Sequence, residues 1–202
     1  PVTQPVDCAI TADVGNEAAV VEAVSRAEAA LGGLDCVVNN AGIALERPLV
    51  DTCSADFDRI VAVNLRGPFL VSREAARIFL AEERATPARI INIASELAHL
   101  GRARYAPYCA AKGGVISLTR ALARELAPRV LVNAVAPGPT DTAMLSQQDD
   151  EYGPSEDVPQ NVPLGRLGAP CDVAEIVAFL ASPRASFITG AVLNVNGGVA
   201  MY

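Results

Sequence analysis

The chain has 202 residues, 51% of them hydrophobic, and carries a net charge of −7. This acidic balance disfavours a nucleic-acid or anionic-membrane partner, and no apolar run is long enough to cross a bilayer. Five cysteines without zinc or redox spacing predict reduced thiols in the cytoplasm, and a single histidine, His99, disfavours a histidine-based triad or metal site.

Segments typical of strands and helices alternate along the chain. A short strand is predicted at 9–14, and the apolar periodicity of Glu17–Leu31 predicts a helix capped by Asn16 and closed by glycines. The further predicted strands are 35–39, 88–94, 130–136 and 191–195, and the further predicted helices are 54–63 with Ser54 as its cap, 65–83, 108–126 and 169–181. This alternation predicts one α/β domain over 1–202, built as a doubly wound parallel sheet with helices on both faces.

The predicted helix at 108–126 carries a pair of residues suited to proton transfer. Pro107 fits a first helical turn, which places Tyr108 and Lys112 four residues apart on one face. Lys112 is the only lysine of the chain. A nearby ammonium favours a phenolate, so we expect the pKa of Tyr108 to fall below its usual value of about 10. By itself, the same spacing is also that of an ordinary surface pair.

Two upstream segments accompany this pair. Ser95 ends the predicted strand at 88–94, and the sequence Asn39-Asn40-Ala41-Gly42 ends an earlier strand. With these segments, and with Asn64 in Val63-Asn64-Leu65-Arg66-Gly67, the chain resembles the short single-domain branch of the short-chain dehydrogenase/reductase family from about residue 13 to its end. The resemblance implies a Rossmann-like fold and a catalytic set of Asn64, Ser95, Tyr108 and Lys112.

The resemblance also implies a role for each member of that set. Tyr108 is expected to exchange a proton with the substrate oxygen, and Lys112 to lower the pKa of Tyr108 and bind the nicotinamide ribose. Ser95 is expected to donate a hydrogen bond to the reacting oxygen, and Asn64 to hold a water beside Lys112. A strand-end hydroxyl for Ser95 and a helix cap for Asn64 are the structural alternatives, which the joint spacing disfavours.

NAD or NADP is the cofactor that the resemblance implies. Asn40, Ala41 and Gly42 match the segment beside the adenosine ribose, and Asp13 matches the residue that contacts adenine, although capping of the following helix explains Asp13 equally well. The residues expected to bind the cofactor are Asp13, Val14, Asn40, Ala41, Gly42, Tyr108, Lys112, Pro137, Gly138, Thr140 and Thr142. The Gly-rich turn that opens a dinucleotide-binding fold is missing, so we expect an N-terminally incomplete domain, and the residues that choose NAD or NADP fall in the missing part.

These features predict an oxidoreductase that interconverts a secondary alcohol and a ketone on a small-molecule substrate, without a metal and as a homotetramer. The pattern is equally close to 3-oxoacyl-carrier-protein reductases and to sugar or polyol dehydrogenases. A polar, acidic stretch at 143–163 is predicted to be a mobile substrate-side loop, and Glu96 and His99 are interpreted as a solvated loop face. A non-catalytic nucleotide-binding protein on the same fold is the alternative.

Overall fold

The protein is described by a computed structural model that covers residues 8–81, 83–146 and 161–201. Four parallel strands form one sheet in chain order, namely β1 (Cys36–Asn39), β2 (Ala88–Ile93), β3 (Val130–Pro137) and β4 (Val192–Val195). The helices of the described residues are α1 (Glu17–Leu31), α2 (Ser54–Val61), α3 (Gly67–Ala81), α4 (Leu97–Leu100), α5 (Ala106–Leu126), α6 (Ala143–Ser146) and α7 (Pro170–Ala181). The predicted parallel α/β fold is therefore confirmed.

Alternating side chains of the sheet pack into hydrophobic clusters on its two faces. Ile90 and Val132 pack with Phe79 of α3 and Ala123 of α5 on one face of the sheet. Their neighbours Ile91 and Val135 point to the opposite face and pack with Leu180 of α7. Because side chains alternate along a strand, the mainly apolar strands β2 and β3 are buried on both faces.

Three predicted elements differ in the structure. Residues 9–14 form no strand, because no other described strand pairs with them and the Asn16 amide instead donates to the Asp13 carbonyl in a turn that leads into α1. The predicted helix at 54–63 ends at Val61 and continues through a π-helical turn, Ala62–Arg66, into α3. Cys53, not Ser54, occupies the N-cap position of α2, without a side-chain capping bond.

The remaining differences are smaller. α4 lies within the segment predicted to be a loop between β2 and α5, and α5 begins at Ala106. In α1, Asn16 accepts a hydrogen bond from the Ala19 amide and Gly32 adopts the left-handed conformation, which confirms both predicted ends. Most of the predicted substrate-side loop, 147–160, lies outside the described residues. Across the described ranges, no helix is long and apolar enough to cross a membrane.

Candidate active site

A cleft of about 910 Å³ lies at the carboxyl ends of β1, β2 and β3. Parallel strands place the ends of separate chain segments side by side at this edge of the sheet, where ligands bind in open α/β folds. The predicted site residues that line it are Asn40, Ala41, Gly42, Ser95, Tyr108, Lys112, Pro137, Gly138, Thr140 and Thr142. Segments more than a hundred residues apart in sequence therefore meet in one site, whereas Asn64, Asp13 and Val14 do not line the cleft.

Lys112 is buried and anchored to the end of β2. Its side chain is 4% exposed, and its Nζ donates a hydrogen bond of 2.6 Å to the Ile93 carbonyl. The same Nζ lies 5.8 Å from the centre of the Tyr108 ring. Burial disfavours the ammonium form and lowers the pKa of Lys112 to about 8.

Tyr108 holds its proton more firmly than predicted. Burial raises its pKa to about 12, and the nearby Glu96 carboxylate adds to this rise. The hydrogen bond with Ser95 acts in the opposite direction. The predicted lowering of the Tyr108 pKa by Lys112 is therefore wrong for this structure, because burial has the largest effect on the tyrosine and the Lys112 ammonium donates to the Ile93 carbonyl.

Ser95 and Glu96 link the ends of β2 and β3. The Ser95 Oγ accepts a hydrogen bond of 3.1 Å from the Leu97 amide at the start of α4, and the Glu96 amide donates to the Pro137 carbonyl at 3.1 Å. Glu96 is only 6% exposed and lines the cleft, so its interpretation as part of a solvated loop face is wrong. His99, one turn further on, is exposed as predicted.

Asn64 lies behind the cleft wall, within the π-helical turn, and is fully buried. Its Oδ1 accepts from the Ile43 amide at 3.0 Å and its Nδ2 donates to the Ile43 carbonyl at 2.7 Å. A Cβ atom on Gly42 would lie 2.9 Å from the Asn64 Oδ1 and 3.8 Å from the Lys112 Nζ. The side-chain amide of Asn64 thus fixes the cleft wall beside Lys112. Its Oδ1 and Nδ2 both bond to Ile43 and do not cap a helix.

Asp13 and Val14 serve the turn before α1. The Asp13 Oδ1 accepts a hydrogen bond of 2.9 Å from the Gly15 amide. A Cβ atom on Gly67 would lie 3.0 Å from a methyl group of Val14, so these two segments pack closely. The Asp13 side chain therefore stabilises the turn before α1 and does not cap the helix, whose N-cap is Asn16, and the contact of Asp13 with adenine stays a prediction.

The turn after β3 is held rigidly against the end of β4. The Gly138 amide donates to the Val195 carbonyl at 3.0 Å, and the Thr140 hydroxyl donates to the Gly138 carbonyl at 2.9 Å. A Cβ atom on Gly138 would lie 2.6 Å from the Cα of Asn196, so only glycine fits here. This close packing explains why the turn carries a glycine. It also holds residues 138–140 where they line the cleft.

These features fit a dinucleotide. The cleft volume suits a large ligand, its β1 edge consists of small residues that let a ligand approach the backbone, and Lys112 supplies a buried donor. Further residues line the cleft, and among those that the sequence analysis did not single out are Arg102 and Tyr105. Within 8–81, 83–146 and 161–201, no group of three or more His, Cys, Asp or Glu residues is arranged to hold a metal ion.

Comparison with known proteins finds relatives along nearly the whole chain. Residues 2–200 match the family model described as Enoyl-(Acyl carrier protein) reductase. A short-chain dehydrogenase/reductase of Armillaria gallica is 40% identical over 198 residues, which are 95% of this chain and 75% of that protein.

Solved structures are similar over the same region. A glucose/ribitol dehydrogenase of the short-chain dehydrogenase/reductase family from Brucella melitensis superposes with a TM-score of 0.88 at 36% identity, covering 96% of this chain and 77% of that one. A 3-ketoacyl-(acyl-carrier-protein) reductase from the same organism, complexed with NADH, superposes with a TM-score of 0.88 at 39% identity. The match covers 95% of this chain and 78% of that one. The chain therefore belongs to the short-chain dehydrogenase/reductase family of NAD(P)-dependent oxidoreductases.

Proposed function

We propose that the protein interconverts a secondary alcohol and a ketone, with Tyr108 as the group that exchanges the proton. The convergence of Ser95, Tyr108 and Lys112 in one cleft, with Ser95 close enough to the Tyr108 hydroxyl to act on its pKa, is the observation that supports this most strongly. The non-catalytic alternative is not favoured, since the relatives are named reductases and dehydrogenases.

Tyr108 acts as the acid when a ketone is reduced. With a pKa near 12 it is protonated at neutral pH and can donate to the carbonyl oxygen. Ser95 hydrogen-bonds the same oxygen as negative charge develops on it. In the reverse direction Tyr108 must accept the hydroxyl proton, and Lys112, with a pKa near 8 and its Nζ 5.8 Å from the centre of the Tyr108 ring, can assist.

NAD or NADP, when bound, supplies or accepts the hydride. Lys112 would hold the nicotinamide ribose, the segment Asn40-Ala41-Gly42 would line the adenosine ribose, and Asp13 with Val14 would meet the adenine. The backbone of the turn that contains Pro137, Gly138, Thr140 and Thr142 would receive the carboxamide. Asn64 would act by fixing the wall at Gly42 and, as the resemblance implies, by holding a water beside Lys112.

We further propose a cytoplasmic homotetramer. All five cysteines are free thiols, as expected in a reducing compartment. Several large apolar side chains are exposed on this single chain, among them Phe69 of α3 and Phe187 before β4. Contacts between subunits through α3, α5 and the segment before β4 would cover these surfaces.

The test is consumption of NADH or NADPH by the purified full-length protein in the presence of a panel of ketones, with and without EDTA. We expect consumption with at least one ketone and an unchanged rate in EDTA. Absence of turnover together with absence of cofactor binding would contradict the proposal, and so would a loss in EDTA that zinc restores.

A further inference from the structure

Glu96 occupies a position in the cleft that the proton-transfer set does not use. Its amide is fixed on the Pro137 carbonyl, and its side chain is 6% exposed and lines the cleft together with Ser95 and Tyr108. The carboxylate is close enough to raise the pKa of Tyr108. If the reacting carbon lies at Ser95 and Tyr108, as the proposed function has it, Glu96 is a neighbouring group that can contact the adjoining part of the substrate.

The carboxyl group of Glu96 has no side-chain partner within the described parts of the chain. Among the described residues, Arg102 is the cation whose charge acts on this carboxyl, and it does so through space, lowering the pKa of Glu96. Burial of a carboxylate without a partner is costly, and here it raises the pKa to about 7. Buried polar groups without partners are uncommon in proteins and are found where a ligand completes the bonding.

The charges around this carboxyl restrict the ligand. Arg102 also lines the cleft, and its guanidinium stacks on the Tyr105 ring at 4.8 Å. A second carboxylate would be attracted by Arg102 but repelled by Glu96, and an ammonium group would be attracted by Glu96 but repelled by Arg102, so neither charge gains on balance. A neutral hydroxyl group avoids both costs, because it donates to the carboxylate of Glu96 and accepts from the guanidinium of Arg102.

We propose that Glu96 is a specificity-determining residue that binds a hydroxyl group of the substrate next to the reacting carbon, which makes the substrate a polyol or hydroxyketone. The inference rests on the proposed function for the location of the reacting carbon. It favours the sugar and polyol type of substrate over an acyl chain, whose carbon next to the carbonyl carries no hydroxyl group.

The experiment measures binding without turnover. Purified full-length protein is saturated with NADH, or with NADPH in a second series, and titrated in a calorimeter with trans-1,2-cyclohexanediol and with cyclohexanol. We expect the wild-type protein to bind the diol at least about 10-fold more tightly, as a hydrogen bond to a charged group implies. Glu96→Ala should bind both alcohols equally, and Glu96→Gln should retain part of the difference.

Glu125→Gln, which changes an exposed glutamate on α5, is the matched control and should bind like the wild-type protein. Thermal unfolding of each variant verifies that it is folded. Equal affinity of the wild-type protein for both alcohols would overturn the proposal, and so would an equal loss for both in Glu96→Ala. A preference for the diol that depends on Glu96, in a protein that reduces no ketone, would refute the proposed function and leave the assignment of Glu96 intact.

Discussion

Burial sets the ionisation of three side chains in the cleft. It raises the pKa of Tyr108 to about 12 and that of Glu96 to about 7, and it lowers the pKa of Lys112 to about 8. In each case the neutral form gains, because a low-dielectric surrounding disfavours charge of either sign. The cleft therefore holds an acid that keeps its proton and two groups that titrate near neutral pH.

The raised pKa of Glu96 makes the stability of the protein depend on pH. Its folded-state pKa lies above the usual 4.5, so the folded state binds more protons than the unfolded state between about pH 4.5 and pH 7. Stability is therefore lost as the pH rises through this window, by up to about 3 kcal/mol. Glu96→Gln removes the titration, so its melting temperature should rise relative to the wild-type protein between pH 5 and pH 8.

Thermal unfolding at several pH values measures this difference. The exposed Glu125→Gln should follow the wild-type curve throughout. A constant offset between Glu96→Gln and the wild-type protein across this pH range would show that Glu96 is not held as a buried, protonated acid.

The same residues show what a sequence can and cannot predict at this scale. Ser95, Tyr108 and Lys112 were identifiable because their chemistry and spacing recur as a set. The burial of Glu96 could not be predicted from the sequence, since it depends on α4 and on the end of β3, which lies some forty residues away. The Tyr108 pKa was missed for a related reason, because the direction of the Lys112 ammonium is a tertiary feature.

At the scale of elements, the π-helical turn between α2 and α3 shapes the site. It positions Asn64 behind Gly42, and the adjacent Leu65 packs against α5 at Gly114. The helical pattern of the sequence predicted both flanking helices but not this turn, because π-helical turns are rare and occur as single turns within α-helices, without a sequence pattern of their own. The end of α1 was predictable, since its glycine adopts the left-handed conformation.

Two adjacent glycines of α5 test this packing. A Cβ atom on Gly114 would lie 2.8 and 3.0 Å from the two terminal methyl carbons of Leu65, whereas one on Gly113 would meet only the Ala98 carbonyl at an ordinary 3.8 Å. Gly113→Ala should raise the free energy of unfolding by about 0.5 to 1 kcal/mol, since alanine favours a helix. Gly114→Ala should lower it by about 1 kcal/mol or more through overpacking.

Denaturant unfolding of both variants gives the comparison. If Gly114→Ala were as stable as Gly113→Ala, then Leu65 would not be held tightly against α5, and the π-helical turn would have less influence on the site than we infer.

At the scale of the whole molecule, alternation of strands and helices predicted the parallel sheet because each buried strand needs helices on both faces. The prediction of a short strand at 9–14 was wrong, because a strand forms only beside a partner strand, and apolar character alone does not provide one. The number of subunits is likewise a property of surfaces that a sequence does not reveal.

The proposed tetramer is tested on those surfaces. Phe69 of α3 is 43% exposed on the single chain, so Phe69→Glu should place a charge in the proposed interface and yield smaller species in analytical ultracentrifugation. Val21→Glu on α1, similarly exposed at 41%, is the control and should leave the tetramer intact. A wild-type protein that sediments as a monomer at micromolar concentration would rule out this assembly.

The most direct test of the account is kcat of Tyr108→Phe in both directions, with a ketone and its alcohol that the wild-type enzyme converts. We expect a fall of at least about 100-fold in each direction, because one hydroxyl serves as acid and as base. Tyr105→Phe is the matched control, since the Tyr105 ring contacts Tyr108 edge-on at 6.3 Å and its hydroxyl is bonded to Glu46 at 2.9 Å. That variant should lose stability but keep its activity. Normal turnover by Tyr108→Phe together with an inactive Tyr105→Phe would contradict the assignment of the site.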